Sequence, residues 1–87
     1  MERRTTRTVD AERAVAFLRK YDVIADSNGI PFSVDNLLTR HFHTINGTEF
    51  RFVGCSQLKN LDIIVENVED GKWSQWDAYD MYNATFI

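Results

Sequence analysis

Three side chains in this sequence have the makings of reactive or metal-binding chemistry: His41, His43 and Cys55. An imidazole near a thiol can generate a thiolate nucleophile. Two histidines, two residues apart on a strand, share a face and could begin a metal site. The set stops there. A zinc site needs about four ligands, or about three if catalytic, so a carboxylate would have to complete it. No H-x-x-x-H or C-x-x-C spacing occurs, and Cys55 sits in no nucleophile signature. Asp77 and Asp80 are spaced to share a helix side, but acid–base work needs them in a cleft. No Gly-rich phosphate loop is present. The segment Ser27-Asn28-Gly29 superficially resembles a calcium loop. With Gly29 at its sixth position, the first ligand would be Ile24 and the twelfth Asp35, which excludes an EF-hand. The expectation is a protein without catalysis, metal or cofactor.

A second group is suited to recognition. The last 15 residues hold Trp73, Trp76, Tyr79, Tyr82 and Phe86, interleaved with Asp77 and Asp80. Aromatics are common interface anchors, and carboxylates around them favour a basic partner. Two or three of these five should be core, because a small domain has few other large side chains to bury.

The elements that must position these groups follow from the pattern. Residues 1–8 show no apolar periodicity and are expected to form a mobile basic arm, ahead of a single domain over 9–87. Asp10 is expected to cap a helix ending near Tyr21, with Ala11, Ala14, Val15, Leu18 and Tyr21 on its inner stripe. A turn around Ser27-Asn28-Gly29 and Pro31 comes next, with short extended arms at Val23-Ile24 and Ile30-Phe32. Ser33 should cap a helix over Val34 to Phe42, facing inward through Val34, Leu37, Leu38 and His41. Phe32 and Leu37 occupy the positions of a hydrophobic staple.

Asn46-Gly47 predicts a two-residue type I′ hairpin, with Ile45 facing Thr48, His43 facing Phe50, and Ile45 on the core face. The Asn-Gly-Thr and Asn-Ala-Thr triplets at Asn46 and Asn83 fit a glycosylation pattern, though Asn46 is already explained by its turn. Leu61 to Glu66 should be a third strand. Asp70-Gly71 marks a second turn, with Glu69 and Lys72 paired across it. The S-x-x-D at Ser74 predicts a helix over Gln75 to Asn83, with Trp76, Tyr79, Tyr82 and Phe86 along one side. A strand over Lys72 to Ala78 is the competing assignment. The expected fold is therefore α+β: one small domain with an antiparallel sheet of three or four strands and two or three helices.

Composition limits the function classes. The chain has 87 residues, 44% hydrophobic, with one cysteine and a net charge of −3. Those values fit a small globular domain. No apolar stretch approaches a membrane span, and the basic start lacks a signal peptide's apolar core. A cytoplasmic location is the expectation. The net charge conceals a gradient of +3 over residues 1–20, −1 over 21–60 and −5 over 61–87.

These features predict a small non-enzymatic protein-binding module: an inhibitor or adaptor of the kind that phages and mobile elements encode. Its contact residues would be Asp62, Glu66, Glu69, Asp70, Trp73, Trp76, Asp77, Tyr79 and Asp80. Its partner would be a protein with a basic surface, such as one that handles nucleic acid. Direct nucleic-acid binding is the first alternative, through a winged-helix-like layout with Arg3, Arg4, Arg7, Arg40 and Arg51 on phosphates. Against it stand a sequence pI near 5.2 and the lack of a third helix before the hairpin. A small Cys/His enzyme or metal protein is the second alternative.

Overall fold

The structure is a computed structural model and describes residues 6–56 and 63–87. The fold is α+β. Its elements in chain order are α1 (Thr6–Lys20), α2 (Val34–Thr39), β1 (His41–His43), β2 (Glu49–Cys55), β3 (Ile63–Asn67), β4 (Trp73–Trp76), α3 (Ala78–Tyr82) and β5 (Thr85–Phe86). One antiparallel sheet runs in the order β4-β3-β2-β1-β5. It has five strands, more than the three or four expected. No helix among the described residues is long and apolar enough to cross a membrane.

Helix α1 packs against β2 and α2, and buries Ala11, Ala14, Val15 and Leu18 as their spacing requires. It begins at Thr6, so Thr6, Arg7 and Thr8 are helical, and Asp10 lies inside the helix instead of capping it. A tertiary contact accounts for the early start. The Arg7 guanidinium donates to the carbonyls of Leu38 and Phe52, which docks a turn that has no apolar pattern of its own. The end of α1 is equally well defined. Asp22 adopts a left-handed φ of 59°. The Val23 and Asp22 amides donate back to the Leu18 and Arg19 carbonyls, a Schellman arrangement. Leu18 and Val23 are both buried there. Tyr21 is turned out of the expected inner stripe and is 60% exposed.

The extended arms of the turn after α1 pair with each other, through a bridge between Ala25 and Pro31 and the Phe32 N–H donating to the Ile24 carbonyl. Ser33 caps α2 by accepting from the Asn36 amide. This helix stops at Thr39, so His41 and Phe42 belong to β1 instead. Phe42 is fully buried, whereas His41 is exposed.

The hairpin forms, but in a register one residue away from the two-residue turn. Phe42 pairs with Phe50 and His43 with Glu49. The loop is three residues long, closed by Thr44 N–H to the Thr48 carbonyl and Gly47 N–H to the Thr44 carbonyl. Only Gly47 has positive φ, at 80°, so the two positive φ values of type I′ are not both present. Ile45 is consequently at the exposed tip and not on the core face.

Strand β3 runs over Ile63–Asn67; the expected Leu61 and Asp62 fall outside the described residues. The β3–β4 turn sets Lys72 opposite Asn67, so the Glu69–Lys72 cross-strand pair is absent. Asn67 organises this turn by accepting from the Glu69 amide.

The largest correction concerns the C-terminal segment. Trp73–Trp76 is a strand, in line with the competing assignment, because it pairs along β3 from Ile63↔Trp76 to Glu66↔Trp73. The helix is only five residues long, and Asp77, not Ser74, caps it. Asp77 accepts from the Asp80 amide and Asp80 accepts from the Asp77 amide, forming a reciprocal capping box. Phe86 lies in β5, buried against Phe32 and Phe42.

Candidate functional site

The reactive trio does not assemble. His41 and His43 share one sheet face, but the His41 imidazole lies 2.5 Å from the Glu49 carboxylate. Cys55 is buried on β2 and donates its thiol hydrogen to the Asp10 carbonyl. Burial, then the negative charge of Asp10, pushes its pKa up to about 11, with Arg13 opposing. At neutral pH it is a thiol, a poor nucleophile. Among the described residues, no three of His, Cys, Asp and Glu are placed to hold a metal ion.

The cations expected to contact phosphate are partly engaged internally. Arg7 holds two backbone carbonyls, and Arg51 Nε lies 2.6 Å from Glu66 Oε2. Arg40 is exposed at the end of α2. Arg3 and Arg4 lie outside the described residues.

The acidic and aromatic residues separate into two neighbouring groups, and Asp62 lies outside the described residues. The first group surrounds β4. Trp73 and Glu66 face each other across β3 and β4 at a pair where side chains approach closely. The Trp73 indole N–H donates to Glu66 Oε1 at 3.1 Å, while the other oxygen takes Arg51. These two bonds, Arg51 first, hold the Glu66 carboxyl below its ordinary value. Trp73 remains 65% exposed although its ring is anchored. Glu69 and Asp70 are exposed in the adjoining turn. Trp76 is not available for contact: it is 8% exposed and packs on Phe42 and Phe50.

The second group surrounds α3. Tyr79 and Tyr82 are 73% and 62% exposed. With Tyr21, Val23 and Ala78 they line an open depression of about 250 Å³. Asp77 and Asp80 are exposed on the same short helix and its cap. Tyr21 is the member that sequence reasoning missed. The helix ends close to where its pattern does, but the left-handed residue that turns Tyr21 outward is Asp22, where glycine is the usual signal. Of the five C-terminal aromatics, Trp76 and Phe86 are core and Trp73, Tyr79 and Tyr82 are exposed.

No protein-family model, no curated protein and no solved structure matches the chain.

Proposed function

We propose that this is a small non-enzymatic protein-binding module, an inhibitor or adaptor acting in the cytoplasm, which engages a basic surface of a partner protein. One observation carries the reading. Three exposed tyrosines, Tyr21, Tyr79 and Tyr82, come from two separate helices and their flanks to line one depression beside Asp77 and Asp80. Exposed aromatics gathered at a concave spot are the usual anchors of a protein interface. The carboxylates would select a positively charged partner and speed the encounter. A groove that normally takes nucleic acid has the required charge.

The test is affinity capture from the native cell, comparing wild type with Tyr79→Ser/Tyr82→Ser. Both tyrosines are exposed, so the variant should fold, and a matching circular dichroism spectrum checks that. Asp77 and Asp80 are poorer targets, because each caps α3 for the other. The expected result is a basic protein recovered with wild type and lost with the variant. Equal recovery by both, or an acidic partner, refutes the reading.

A further inference from the structure

We infer that the outer edge of β4 accepts an extended basic segment of the partner as a sixth strand of the sheet. This rests on the protein-binding reading and specifies how the partner would be held.

The edge is open by geometry. The Asn67 N–H donates to the Lys72 carbonyl at 2.8 Å, which makes that pair a hydrogen-bonded one. Hydrogen-bonded and non-bonded pairs alternate in an antiparallel ladder. Ser74 and Trp76 therefore bond to β3, while the N–H and C=O groups of Trp73 and Gln75 point away from the sheet. The same alternation is visible at the opposite edge. There Ile87 N–H bonds to His41, and the Phe86 amide points outward to Asp26 Oδ2 at 2.9 Å. No described group takes the corresponding role for Trp73 or Gln75.

The sequence of β4, Trp-Ser-Gln-Trp, is only four residues long but carries no proline, no charge and no bulge to block its edge. An added strand would gain main-chain hydrogen bonds from these two residues, the usual basis of peptide recognition by strand addition.

Charge selects the occupant. Glu69 and Asp70 precede β4, and Asp77 and Asp80 follow it, with Lys72 the one cation of residues 63–87. A basic strand meets carboxylates at both ends. A second copy paired antiparallel through Ser74 would instead set the Glu69–Asp70 end of one chain against the Asp77–Asp80 end of the other. The exposed Trp73 ring, fixed by Glu66, offers its face to a lysine or arginine on the added strand.

The experiment uses a capped Lys-Val-Lys-Val-Lys-Val-Lys peptide as the probe, with amide exchange and chemical shifts read residue by residue. Expected are slower exchange at the Trp73 and Gln75 amides on binding, and no binding by a Glu-Val counterpart or by the peptide N-methylated at alternate amides. Gln75→Pro removes an outward N–H while leaving the β3 ladder intact. It should weaken binding by at least about tenfold. Should that variant fail to fold, the N-methylated peptide tests the same bonds on wild type. Equal binding of the N-methylated peptide overturns the inference, as does self-association through β4. Binding with shifts confined to Tyr79 and Tyr82 overturns strand addition but keeps the acidic-aromatic reading. No binding of any peptide also overturns strand addition, and capture with the tyrosine variants then judges the broader reading by itself.

Discussion

The two edges of the sheet solve the same problem in opposite ways. At β5 the edge is two residues long, and the outward Phe86 amide is met by the carboxylate of Asp26. That carboxylate comes from a turn 60 residues earlier, where its other oxygen accepts from the Asn28 and Ile30 amides. At β4 the edge is twice as long, and its outward groups have no such partner among the described residues. A protein under pressure to remain unpaired closes its edges. One edge is closed by a buried side chain, and the other, among the described residues, is left open, as the proposed strand addition requires.

The comparison can be broken most forcefully at Trp76. This residue ties β4 inward, opposite Ile63, and packs on Phe42 and Phe50 at centroid distances of 5.5 and 4.9 Å. Trp76→Ala should cost about 3–5 kcal/mol, the range for emptying an aromatic site in a core. Trp73→Ala, three residues away on the other face, should change stability by less than about 1 kcal/mol because most of its ring is already in water. Urea unfolding of both variants decides the matter. Similar losses would mean that the two tryptophans do not divide into anchor and surface.

The closed edge comes next. Asp26→Ala removes the acceptor of three backbone amides at once. The expected loss is about 2–3 kcal/mol, since water can reach part of the vacated turn but the buried Phe86 amide loses its partner. Hydrogen exchange should accelerate at Phe86 more than at His41 or Phe42. Unchanged exchange at Phe86 would show that Asp26 does not protect this edge.

How much of this was legible beforehand depended on range. The inner stripe of α1 from Ala11 to Leu18, the Ser33 cap and the turn at Asp70-Gly71 are set by neighbours a few residues apart, and they stand where the pattern places them. Features set at longer range did not show. Trp73–Trp76 reads as helix or strand until Ile63 to Glu66 is beside it. β5 has only two residues, and Asp26 holds it from across the fold. The one-residue hairpin shift follows from three loop residues where Asn46-Gly47 suggested two, and it moves Ile45 from core to tip. For the site, Trp73, Tyr79 and the flanking carboxylates were legible from composition. Tyr21 was not, because only the Schellman turn at Asp22 removes it from the buried stripe.

The smallest expected effect concerns the pin that aims Trp73 beside the open edge. Glu66 accepts from Arg51 and from the Trp73 indole, and its pKa is lowered from 4.5 in consequence, the Arg51 bond contributing most. A carboxyl whose folded value is depressed contributes stability that is present above its unfolded value. That contribution is lost as pH falls through the folded value. The window is therefore acidic, below pH 4.5, and the edge should keep its shape at neutral pH. As Glu66 takes up its proton, the bond from the indole weakens. The Trp73 indole N–H resonance should titrate with a midpoint below 4.5, and Glu66→Gln should abolish the titration. A midpoint at or above 4.5 would mean that neither bond favours the charged carboxylate, and Trp73 would then be a loose ring instead of an aligned one. An aligned ring is what separates a recognition edge from one merely left uncovered, because orientation fixed before binding lowers the entropy lost on binding.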